Sequence, residues 1–142
     1  MYIDRRLSSV DKYYTKQFEK LNNHESREAP AVFKYKGKYF LISSGCTGWE
    51  CNEAVIAVAD SIMGSWKAIG NPCKGKDGDK TFFTQSTFVL PVEGIKNAYV
   101  FMADRWNRMN LKDSRYVWLP IKIYANQMKI EWIDSWNLSF FT

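Results

Sequence analysis

Glu28 stands in Arg27-Glu28-Ala29-Pro30, directly ahead of Ala31-Val32-Phe33-Lys34-Tyr35, and its setting suits proton transfer. Proline fixes its own φ and biases the preceding residue toward extended geometry, so the carboxyl is expected at the mouth of a strand rather than inside a helix. A carboxylic acid held that way can serve as a general acid; it can equally be one more solvated glutamate before a hairpin. This stretch alone leaves both readings open. The other reactive residues are sparse. Cys46, Cys51 and Cys73 cannot all pair within one chain, and their spacing matches no zinc motif. One bridge plus a free thiol, or three buried thiols, fit equally well. The single histidine, His24, lies apart from them, so no metal site is expected.

The elements that must hold such a group are strands. Six Trp, eight Tyr and nine Phe among 142 residues favour pleated sheets, and exposed aromatic rings suit sugar faces as well as protein partners. No run of about 18 apolar residues occurs, so no membrane-spanning segment is expected. The net charge of +5 invites a polyanion partner. The basic residues, however, are interleaved with acids, as in Lys74-Gly75-Lys76-Asp77-Gly78-Asp79-Lys80, which reads as a solvated loop and not a phosphate-tracking stripe. Nucleic acid is therefore not an expected partner.

Taken in order, residues 10–21 read either as a short helix, with Tyr14, Phe18 and Leu21 on one face, or as a loop with an irregular strand. Two strand-forming runs then flank Lys36-Gly37, which predicts a hairpin turn. Ala54–Ala59 predicts a buried strand, and Gly64–Lys67 leads into a brief outer one carrying Trp66; residues 70–80 read as a surface loop. The pattern then restarts with Gln85–Val92, Ala98–Ala103, Arg115–Lys122 and Met128–Trp132. Glu28 and Gln85 open two four-stranded units, at a period of just under about 60 residues. Repeats of four antiparallel strands are the signature of β-propeller blades, and at least ~4 blades are needed to close a ring. The expectation is an all-β partial β-propeller: two four-stranded antiparallel blades plus an N-terminal stub. Residues 1–26 would end a preceding blade and link onward, 27–80 form the first blade, and 81–142 form the second with a tail.

Several stretches together resemble glycoside hydrolase family 43, and within it the exo-β-1,3-galactanase branch. They are Arg27-Glu28-Ala29-Pro30-Ala31, the run from Gly37 to Trp49, Ala57–Trp66, Gln85–Pro91, Asp104-Arg105-Trp106-Asn107 and Asp113–Pro120. The likeness covers roughly residues 27–136. It implies a five-bladed propeller with the sugar site at one end of its axis, and inversion at the anomeric carbon. Inversion needs an acid for the leaving oxygen and a base for water on the opposite face of the ring, set ~6.5–9.5 Å apart.

By resemblance Glu28 is the general acid. Gln85 matches the glutamine that holds or activates the water; a neutral amide accepts a hydrogen bond but takes up no proton near neutral pH, so water positioning and water activation both stay open. Thr47 is implied to contact the terminal galactose. Trp49 either stacks on a sugar or packs beneath its loop. Asp104 and Arg105 are expected at the same rim as a mutual ion pair that shapes it. Arg27 is expected to point away from Glu28, because a cation beside a general acid favours the wrong charge state. Trp66, Tyr116, Trp118 and Trp132 read as blade packing.

The family's remaining acidic residues match no Asp of this chain. The expected partner is a galactan or galactoside oligosaccharide, with no cofactor, and with an open inner strand edge that invites pairing with another copy. Inverting exo-hydrolysis of β-1,3-galactan belongs to the intact domain, and this chain by itself is expected to be inactive. The rival is a non-catalytic carbohydrate-binding piece that holds galactosides through Thr47, Trp49 and Trp106. Relatives are generally exported, yet Met1-Tyr2-Ile3-Asp4-Arg5-Arg6 has no apolar core of a signal peptide, so the compartment stays open.

Overall fold

The computed structural model describes the backbone of residues 2–3 and 10–11 and, in full, residues 26–124 and 127–142. The two short strands β1 (Tyr2–Ile3) and β2 (Val10–Asp11) pair antiparallel. A helix through Tyr14, Phe18 and Leu21 lies outside the described residues, as does His24.

Strands β3 (Arg27–Tyr35), β4 (Lys38–Gly45), β5 (Val55–Ala59) and β6 (Lys67–Gly70) form one antiparallel sheet in that order. The β3–β4 connection is the expected tight turn. Lys36 and Gly37 both have positive φ, 47° and 81°, as a primed turn between twisted strands requires. The second sheet runs β8 (Gln85–Pro91), β9 (Tyr99–Arg105), β10 (Arg115–Tyr124) and β11 (Gln127–Glu131), with each neighbour antiparallel. A two-residue strand, β7 (Cys73–Lys74), extends its outer edge parallel to β11, with Cys73 opposite Ile130. The chain is all-β and forms two blades of a partial propeller, the second carrying one strand more than the sequence pattern shows.

Period-2 alternation builds the core. Ala31, Phe33 and Tyr35 from β3 and Phe40 and Ile42 from β4 meet Val89, Phe101, Ala103, Val117, Leu119, Ile121 and Ile130 from the second sheet. Burying side chains such as Ile42, Phe101 and Ile130 contributes roughly 1.5–3 kcal/mol each. The two innermost strands, β3 and β8, lie against each other, and Tyr99 reaches across to donate its hydroxyl to the Lys34 carbonyl at 2.9 Å.

Three expectations fail here. Residues 70–80 are not a plain surface loop: Pro72, Cys73 and Gly78 are buried, and a Cβ on Gly78 would stand 2.9 Å from the Cys73 carbonyl oxygen. Trp66 and Trp132 flank the outer strands instead of lying within them. Tyr116 and Trp118 are 78% and 53% exposed, on the face of β10 that points away from the first sheet. Val117, Leu119 and Ile121 occupy the opposite, buried face, so alternation alone sends Tyr116 and Trp118 outward.

Candidate active site

Glu28 and Gln85 occupy matching places, each near the start of an inner strand and each followed by a β-bulge. In β3, Glu28 pairs with Ser44 and Ala31 with Ile42, so two residues, Ala29 and Pro30, stand opposite one. In β8, Gln85 pairs with Asp104 and Ser86 with Ala103, but Phe88 with Met102, which leaves Thr87 as the extra residue. Bulges bend a strand and re-aim the side chains beside them, and here both act where the two polar groups must converge.

Ala29 is not extended, as proline alone would favour, but left-handed at φ 52°. The bulge accounts for the difference, and its carbonyl is held by the Ser86 hydroxyl at 2.6 Å. Such backbone persists where surrounding bonds over-determine it.

These features bring the two side chains into contact. Gln85 donates through Nε2 to Glu28 Oε1 at 2.8 Å and to Ser44 Oγ at 2.7 Å. Ser44 in turn donates to the Glu28 carbonyl at 3.5 Å. Arg27 points away as expected: its guanidinium donates to the Ser43 carbonyl at 2.5 Å, to Ser43 Oγ at 3.2 Å and to the Glu53 carbonyl at 3.4 Å. Burial pulls the Arg27 guanidinium below its usual value, with nearby Cys46 and Glu53 acting in the opposite sense.

The segment delivering Gln85 is unusual. Thr81, Phe82 and Phe83 are three consecutive non-glycine residues with φ between 50° and 59°. That conformation is rare for bulky residues and clusters at functional sites. Thr81 pins it. Its buried hydroxyl accepts from the Ala54 amide at 2.9 Å and donates to the Asn52 carbonyl at 2.8 Å. Asn52 also clamps Gly45 from both sides, accepting from its amide at 2.8 Å and donating to its carbonyl at 2.9 Å. The loop after β4 and the turn before β8 are thus one hydrogen-bonded unit. Ser44, Asn52, Thr81 and Ser86 were not legible as site residues, because each acts through a partner far away in sequence.

Thr47 and Trp49 lie on this loop. The Thr47 hydroxyl donates to the Glu50 carbonyl at 2.5 Å and accepts from Asn52 Nδ2 at 2.6 Å, so a single lone pair remains for a ligand. Trp49 is 55% exposed and meets Trp106 edge to face, with ring centroids 6.2 Å apart. Arg108 and Glu50 form an exposed ion pair at 3.2 Å that joins the rim loops of the two blades.

The expected pair of Asp104 with Arg105 does not form among the described residues. Adjacent strand residues point to opposite faces. Asp104 shares the Gln85 register, whereas Arg105 donates to the Phe82 carbonyl at 2.6 Å and lies over Trp132, 4.9 Å from its ring centre. No group of three or more His, Cys, Asp or Glu able to hold a metal occurs among the described residues.

No protein-family model matches the chain, and no curated protein does. Solved structures do match. A β-1,3-galactosidase of family GH43, BT3683, solved with galactodeoxynojirimycin, is 50% identical over 79% of this chain and 32% of its own, with a TM-score of 0.75. A second GH43 β-1,3-galactosidase, BT0265, is 40% identical over 85% of this chain and 25% of its own, at a TM-score of 0.79. An exo-β-1,3-galactanase from Clostridium thermocellum is 35% identical over 74% and 23%, at 0.61. The chain therefore spans about a quarter to a third of these proteins' length. Two blades of the same form, at these identities, place the chain in glycoside hydrolase family 43, on the side of its exo-β-1,3-galactanases.

Proposed function

We propose that this chain supplies the acid and water-holding side of an inverting, exo-acting β-1,3-galactan hydrolase. The observation that carries the reading is the 2.8 Å contact between Glu28 and Gln85, made by matching positions of two inner strands. Glu28 in its protonated form donates to the glycosidic oxygen as that bond breaks. Gln85 positions the water that attacks the anomeric carbon from the other face, accepting one of its hydrogen bonds through Oε1. A sugar ring and a water between acid and base need ~6.5–9.5 Å, so the substrate must part this contact on entry. The proton that the water loses goes to a base outside this pair, since a neutral amide takes none up.

Hydrolysis by this polypeptide alone is not expected, because the acidic residues that complete the family's pocket have no counterpart in it. The test is an exchange in which residues 27–136 replace the matching segment of the 50%-identical β-1,3-galactosidase. The exchanged enzyme should cleave β-1,3-galactobiose with α-galactose appearing first. Glu28→Gln in that background should lower kcat by roughly 10²–10⁴-fold. A folded but inactive exchange, or an active Glu28→Gln variant, would sink the reading.

A second reading, galactoside binding without catalysis, draws on the exposed Trp49 beside Trp106 and the free lone pair of Thr47. It predicts that the chain binds β-1,3-galactobiose while the exchanged enzyme stays inactive.

A further inference from the structure

Outward of Gln85, on the same rim, lies a cavity of about 550 Å³ whose walls include Lys74, Lys76, Phe83, Arg105, Glu131 and Trp132. That volume is within the ~300–1,000 Å³ range of small-ligand sites. Its position follows from the strands: Phe83 precedes Gln85 by two residues, and Arg105 follows Asp104, the strand partner of Gln85.

The charge lining it is lopsided. Lys74, Lys76 and Arg105 face the cavity with Asp77 and Glu131. Glu131, however, is already bound by Lys129 at 2.7 Å and Lys122 at 3.0 Å. One uncommitted carboxylate thus opposes three cations.

Arg105 carries a second anomaly. Its Nη2 is bonded to the Phe82 carbonyl, and its plane rests on Trp132. Its Nε, by contrast, is buried with no partner, alone in this respect among the side chains of the described residues. An uncompensated buried donor on a cation is costly. A guanidinium seated on an aromatic ring is suited to a planar carboxylate. Trp132 and the exposed Phe83 also line the cavity and add apolar ring surface, with Lys80 Nζ 5.4 Å from the Phe83 ring centre.

We propose that this cavity binds an acidic sugar, a hexuronate whose carboxylate sits against Arg105 between Lys74 and Lys76, with its ring on Trp132 and Phe83. That such a uronate is a branch of the same glycan whose end enters at Glu28 rests on the reading of Glu28 and Gln85 given above. Binding of a free uronoside does not.

The test is titration of the 142-residue chain with methyl β-D-glucuronide, followed by calorimetry and by tryptophan emission. The neutral methyl β-D-glucoside, acetate and inorganic sulfate serve as controls. The glucuronide should bind at least about tenfold more tightly than the glucoside, consistent with one charge-assisted hydrogen bond, and should perturb tryptophan emission. Acetate and sulfate should bind at least about tenfold more weakly than the glucuronide, since they lack the ring. Arg105→Lys should weaken the glucuronide about tenfold, and Lys76→Ala, in an exposed loop where the fold is not at stake, about threefold.

Equal affinity for glucoside and glucuronide would overturn the proposal. So would sulfate matching the glucuronide, or unchanged affinity in Lys76→Ala. Glu28→Gln should leave glucuronide binding intact, so loss of the acid reading and loss of this one are separable.

Discussion

Gln85 and Glu28 are 57 residues apart in the chain and 2.8 Å apart in space, bonded amide to carboxylate. Each is placed by its own bulge, and Ser44 shares the amide at 2.7 Å, so Gln85 Nε2 has both of its hydrogens engaged. The donor is what makes the contact favourable, because a carboxylate only accepts.

Gln85→Glu should therefore turn attraction into repulsion. Two carboxylates at this distance lose the hydrogen bond and repel, which should lower stability by about 2 kcal/mol at pH 7. Like charges raise one partner's folded-state pKa, so the loss should be absent below the unfolded carboxyl range and grow as pH rises through the raised value. Urea unfolding of both proteins at pH 4 and pH 7 checks this. A deficit that is equal at the two pH values would contradict it.

Thr81→Val keeps the shape of the buried hydroxyl residue but removes the acceptor for the Ala54 amide and the donor to the Asn52 carbonyl. A buried amide left without a partner costs about 1–3 kcal/mol. The loss should localise. Hydrogen exchange should speed up at Ala54, and the backbone signals of Gln85 should shift, because the same residue pins the turn ahead of it.

Cys73 is buried opposite Ile130, and burial pushes its thiol up to about 12. Burial also raises the Cys51 thiol, whereas Cys46 is exposed. At pH 8 iodoacetamide should modify Cys46 first and spare Cys73 until the chain unfolds. The sign of the pH effect follows from the raised folded value. The unfolded thiol loses its proton near ~8.5 while the folded one keeps it, so the contribution is complete below that range and declines up to about 12. Cys73→Ala should flatten the alkaline limb of the stability profile by up to roughly 1.4 kcal/mol per pH unit.

Lys36 holds φ 47° at the first position of the β3–β4 turn, where a long side chain gains nothing from the left-handed region. Lys36→Asn supplies the residue preferred ahead of Gly37, and should raise the stability by about 0.5 kcal/mol, read as a small rise in Tm. A fall in Tm would mean that Lys36 stabilises the turn through its ammonium, which lies 5.3 Å from the Tyr35 ring centre.

Eight main strands, four to each blade, were readable from the residues alone, as were the turn at Lys36-Gly37 and the equivalence of Glu28 and Gln85. All of these are written in local signals: alternation of period two, turn residues, and motifs a few residues long. Partners far along the chain decided the rest. Ala29 is left-handed because a bulge and the Ser86 hydroxyl outweigh the proline beside it. Arg105 serves Phe82 and Trp132 and leaves Asp104 alone, since neighbours on a strand face apart. Cys73-Lys74 joins the second sheet, and Thr81 fastens one blade's loop to the next blade's inner strand. Alternation says which side chains share a face; only the packed fold says what, if anything, that face meets.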